Sequence, residues 1–141
     1  MKITGFKSFS HIVFVITSFL LLLYLSGCGV GKGFSQMTMK EAQKLIEAGT
    51  DYLIVDVRTK EEYDEGHIPG AILLPIEDIK EGKLELLPDK AQKIMVYCWT
   101  GRRSEDSAVI LADAGYTQIC DIGGYIDWEG EIETGDTSEN E

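Results

Sequence analysis

The stretch "KIMVYCWTGRRSEDSAVILADAGY", Lys93 to Tyr116, decides how the rest of the chain is read. After its lysine, "KIMVYC" is a short, continuous apolar run ending at Cys98, the pattern of a strand buried on both faces. From Ser104 the period changes. Ala108, Leu111 and Ala112 fall on one helical face, and Gly115 closes the segment. Between the two lie Trp99, Thr100, Gly101 and Arg102, with a helix starting near Arg103 or Ser104. A strand that feeds a helix through so short a loop predicts a parallel sheet, and places Cys98 at the carboxyl end of a strand, where such sheets bind ligands.

The flanking sequence agrees. Thr38 and Glu41 have capping-box spacing at the head of "TMKEAQKLIEAGT", where Ala42, Leu45 and Ile46 form an apolar stripe. "YLIVDV", Tyr52 to Val57, predicts a second buried strand. Thr59 and Glu62 repeat the capping logic before Gly66. "AILLP", Ala71 to Pro75, and "TQICDI", Thr117 to Ile122, predict two further strands, whereas Asp78 to Lys90 reads as polar and irregular, broken at Pro88. The element order is α, β, α, β, β, α, β, an α/β fold covered on both faces. No internal repeat is present.

The loop after Cys98 carries the chemistry. Gly101 permits a left-handed turn, and a turn of that kind can aim successive backbone N–H groups inward as an anion nest. The helix N-terminus adds unpaired N–H donors and a positive partial charge. Both stabilise a thiolate. Arg102 and Arg103 add a local positive field. Together they suit a nucleophilic sulfur attacking an anionic substrate without a histidine base. The loop taken alone also allows Cys98 to be a small buried residue at a strand end.

Four blocks in order resemble single-domain rhodanese-like proteins. Cys98, Gly101 and Arg103 fit C-x-x-G-x-R, followed by Ser104. "IVDVR", Ile54 to Arg58, resembles the first block of that family and "EYDEGHIPGAILLP", Glu62 to Pro75, the second. "GYTQICDIGGYIDWEG", Gly115 to Gly130, resembles its C-terminal element. The resemblance implies a single α/β domain with a five-stranded, mostly parallel sheet and helices on both faces, including a short strand near Phe34 to Met37 that periodicity does not show. It implies sulfur transfer: Cys98 attacks the outer sulfur of a donor such as thiosulfate, becomes a persulfide, and passes the sulfur to cyanide or a thiol. The N–H groups of residues 99 to 103 would hold the persulfide, and Arg103 would orient the donor's oxygens. Trp99, Thr100, Gly101, Arg102, Arg103 and Arg58 are the candidate substrate-binding residues. For Asp56 and Arg58 a structural ion pair is the competing reading, for His67 a structural hydrogen bond, and for Trp99 a wall at the pocket mouth. Cys98 to Arg103 counts six residues, one fewer than in related phosphatases of the fold, which argues against phosphatase or arsenate-reductase chemistry. A non-turnover persulfide carrier is the stronger alternative. No cofactor and no metal site are expected.

Net charge is −11; the first 27 residues hold Lys2, Lys7 and no acid, so the remainder carries −13. Such a surface repels nucleic acid and anionic headgroups, so no nucleic-acid partner is expected; the resemblance implies a small anionic donor and a thiol or cyanide acceptor, and the chain is expected to be a monomer. Lys2 and Lys7 precede an apolar run, Ile12 to Leu25, that is short for a membrane span of about 20 residues but fits a signal-peptide core. "LSGC", Leu25 to Cys28, resembles a bacterial lipobox. The expected organisation is therefore a lipoprotein signal peptide over 1–27, a lipidated Cys28 and flexible tether over 28–36, the domain over 37–132 and an acidic disordered tail over 133–141. The expected location is extracytoplasmic, on a bacterial membrane. Cys98 and Cys120 then remain, and a disulfide between them or a resolving role for Cys120 stays open.

Overall fold

The computed structural model describes residues 33–135. The expected signal peptide and Cys28 lie outside the described residues. Five strands alternate with four helices: β1 Ser35–Gln36, α1 Met39–Glu47, β2 Leu53–Asp56, α2 Lys60–Glu65, β3 Ile72–Leu73, α3 Ile76–Lys80, β4 Lys93–Cys98, α4 Arg102–Asp113 and β5 Gln118–Gly124. A single 3₁₀ turn, Tyr125–Asp127, follows β5. The sheet order is β1-β5-β4-β2-β3, and every strand pair is parallel.

Side-chain alternation along β4 builds the two layers. Ile94, Val96 and Cys98 face one side, packed with Ile76 and Ile79 of α3 and Ala108 and Leu111 of α4. Met95 and Tyr97 face the other, with Met39 and Ala42 of α1. Each fully buried Ile or Leu of these layers contributes about 1.5–3 kcal/mol. Both expected capping boxes are present, at Thr38–Glu41 and Thr59–Glu62.

Three expectations change. The span from Asp78 to Lys90 is not wholly irregular, because α3 begins at Ile76 and runs through Ile79 to Lys80. Its Ile76 and Ile79 are 2% and 1% exposed, and farther along Leu87 is 1% exposed. The tether does not reach residue 36, because Ser35 and Gln36 pair with Cys120 and Asp121 as the edge strand β1. The carboxyl-terminal tail does not begin at 133. Glu133 pairs antiparallel with His67: its carbonyl accepts the His67 N–H at 2.8 Å, and its N–H returns to His67 O at 3.0 Å. The Gly135 N–H then reaches Asp64 O at 3.0 Å. Backbone pairing, which needs no apolar anchor, fixes these residues; residues 136–141 lie outside the described residues.

Candidate active site

The site forms where β4 hands over to α4. Gly101 caps α4 with φ +94°, a left-handed conformation that costs an L-residue about 1–2 kcal/mol. This turn brings the Gly101 N–H back onto Cys98 Sγ at 3.1 Å. Cys98 itself is 1% exposed, so its sulfur forms the floor of the loop. Arg102 is exposed on the first turn of α4 and Thr100 is exposed above the loop. Arg103 follows on the same turn of α4. Its guanidinium is held above its ordinary pKa, first by a hydrogen bond to Glu62, with burial opposing and a smaller upward contribution from Cys98.

The loop is fixed from beneath by β5. The Ser104 hydroxyl donates to Asp121 Oδ1 at 2.7 Å, and the same oxygen accepts the Gly123 N–H at 3.1 Å. Gln36 Nε2 donates to the second oxygen at 3.1 Å, so the buried carboxylate is satisfied without a cation. Gly123 takes φ +84°, in the left-handed region, and Gly124 is a glycine for a spatial reason. A Cβ at Gly124 would lie 2.8 Å from Trp99 O and 3.0 Å from Thr100 Cα and C. The register slips here, with Cys98 opposite Gly124, and the Ile126 N–H binds Trp99 O at 3.2 Å. The Trp99 indole, 44% exposed, tilts against Tyr125 with ring centroids 5.9 Å apart.

Of the residues singled out from the sequence, Cys98 through Arg103 come together. Arg58 does not join them as a substrate contact. It is 1% exposed, with Nε 3.0 Å from both Asp56 oxygens, while Nη2 donates to Asp56 Oδ2 and to Gly66 O at 2.7 Å each. Its guanidinium lies 4.3 Å from the centre of the Tyr125 ring. Burial works against its charge, and Asp56 more than restores it. The competing reading holds: Arg58 ties the end of β2 to the turn before His67 and to the residue that supports Trp99. His67 is buried, stacked on Tyr63 at 3.6 Å, with Nδ1 2.8 Å from Tyr63 O. Cys120 is buried on the α1 face and Cys98 on the α4 face, both as free thiols. The sheet therefore stands between them, and no disulfide can join them without backbone movement.

Sequence reasoning gave Glu62 only a capping role and gave Asp121 and Tyr125 none. The tandem glycines after Asp121 were the available signal for a close approach. Glu62 is separated from Arg103 by 41 positions, beyond any local pattern.

A parallel α/β sheet with a cysteine under the backbone N–H of a left-handed turn at a strand's carboxyl end defines a thiol-cradle domain of the rhodanese type. The chain belongs to the rhodanese-like domain family, which matches residues 38–131. It is 40% identical to the thiosulfate sulfurtransferase PspE of Escherichia coli K12, over 52% of this chain and 70% of that protein. It is 31% identical to the thiosulfate sulfurtransferase GlpE of Coxiella burnetii, over 76% of this chain and 98% of that protein. The fold is similar to the solution structure of a rhodanese-like domain from Anabaena sp., with a TM-score of 0.65 and 28% identity over 74% of this chain and 82% of that one.

Proposed function

We propose that the protein is an extracytoplasmic, membrane-anchored sulfurtransferase that works through a persulfide on Cys98. The observation that carries this reading is the Gly101 N–H on Cys98 Sγ at the head of α4. A donor directed there stabilises a thiolate, and does the same for the persulfide that follows. In the first half-reaction the Cys98 thiolate attacks the outer sulfur of thiosulfate, the S–S bond of the donor breaks, and sulfite leaves with the electron pair. In the second, cyanide or a thiolate takes the outer sulfur and regenerates the Cys98 thiolate. Because Cys98 forms the floor of the loop, the bound sulfur stands one S–S bond, about 2 Å, farther out. Arg102, Arg103 and Thr100 are the side chains placed to meet a donor's oxygens, and Trp99 forms the adjoining wall.

The Leu25-Ser26-Gly27-Cys28 sequence supports lipid attachment at Cys28, and with it the location. Residues 29–141 should convert thiosulfate and cyanide to thiocyanate, and Cys98→Ser should bring turnover to background. Thiocyanate formation that survives the substitution refutes the assignment of Cys98. Intact mass after thiosulfate should show one added sulfur; that addition without turnover would favour a carrier. Palmitate labelling of the full chain in a bacterial host should vanish in Cys28→Ala.

A further inference from the structure

Both terminal nitrogens of Arg103 are committed to one carboxylate. Nη1 donates to Glu62 Oε2 and Nη2 to Oε1, each at 2.7 Å. Glu62 Oε2 also accepts the Thr59 backbone N–H at 3.0 Å, which closes the capping box of α2. Arg103, first of several causes, holds the Glu62 carboxyl down at about 2, so it is ionised at any working pH. The cation beside Cys98 is thus one end of a neutral, forked pair. Such a pair presents directed N–H donors on its free edge but projects little field beyond a few ångströms.

We propose that Glu62 is a positioning residue for sulfur transfer: its carboxylate fixes the Arg103 guanidinium at the head of α4 and cancels its charge, so Arg103 serves the site through directed donors and not by concentrating dianions. This rests on the persulfide reading above and narrows its donor class. Thiosulfate remains a substrate, but the charge of Arg103 does not draw it in. A monoanionic organic thiosulfonate suits the pocket at least as well: the Cys98 thiolate takes its terminal sulfur and a sulfinate leaves with the electron pair.

Glu62→Gln is the informative variant, because glutamine keeps the capping box and a hydrogen bond to Arg103 while removing the charge. In the full-length chain, KM for thiosulfate should fall about three- to tenfold, KM for benzenethiosulfonate should fall less, and kcat should drop as Arg103 loses its fixed aim. A readout independent of turnover is the rate of Cys98 alkylation by anionic iodoacetate divided by that by neutral iodoacetamide. The ratio cancels thiol reactivity; Cys98→Ser supplies the blank. It should rise about three- to tenfold in Glu62→Gln, and the rise should shrink in high salt. Thr59→Ala, which weakens the cap and leaves the bridge, should lower Tm and leave the ratio unchanged. An unchanged ratio in Glu62→Gln, or an equal change in Thr59→Ala, overturns the proposal. Absence of any persulfide on the unmodified chain would instead overturn the sulfur-transfer reading, with the alkylation ratio still reporting on Glu62.

Discussion

Arg58 illustrates how much a single residue can hold. A guanidinium that is 1% exposed survives only because Asp56 and the Gly66 carbonyl accept its donors and an aromatic ring covers its face. Replacing one partner of such a pair leaves the other as an unpaired buried charge, at a cost of about 3–5 kcal/mol. Arg58→Met should therefore lower the unfolding free energy by about that amount in urea titration. The joint change Arg58→Met with Asp56→Leu should recover most of the loss. If the double variant is no better than the single one, charge burial is not the cause. The sequence suggests the Asp56 pairing but not the depth of burial. A charged residue just after an apolar strand reads as surface, and the residues that enclose it, Gly66 and Tyr125, are 8 and 67 positions away.

At the scale of elements, the β4–loop–α4 unit was legible because its hydrophobic period switches at a glycine. Each side is long enough, at six and twelve residues, for the switch to register. β1 and α3 have two and five residues, shorter than any period can show, and both exist because of long-range partners. The contact between loop and β5 was equally silent, since only spatial proximity reveals why Gly124 has no side chain. Gly124→Ala should push Trp99 and Thr100 off β5 by the few tenths of an ångström that a 2.8 Å contact demands. The expected result is a loss of about 1–3 kcal/mol in stability, as for other overpacked sites. Cyanide-dependent turnover should fall more than tenfold, because cradle geometry governs the rate. Full activity in a destabilised Gly124→Ala protein would show that the loop tolerates displacement.

For the molecule as a whole, the Glu62–Arg103 bridge joins the first turn of α2 to the first turn of α4. The Glu62 carboxyl titrates near 2 in the folded chain, against an ordinary value of 4.5, chiefly through Arg103. A depressed carboxyl contributes stability that is complete above the unfolded value and disappears as pH falls toward the folded one. The difference in Tm between the unsubstituted chain and Glu62→Gln should thus be largest above about pH 5 and shrink steadily between 4.5 and 2. A difference independent of pH would mean that the bridge does not stabilise through its charge.

The placement of the two described thiols on opposite faces of the sheet has a consequence for damage. If peroxide carries Cys98 to the sulfenic acid, no thiol among the described residues can condense with it to form a protective internal disulfide. Rescue by the described residues is closed, and a small thiol from solution is the expected reductant. The sheet that shields Cys120 from the chemistry leaves Cys98 without a means of repair among the described residues.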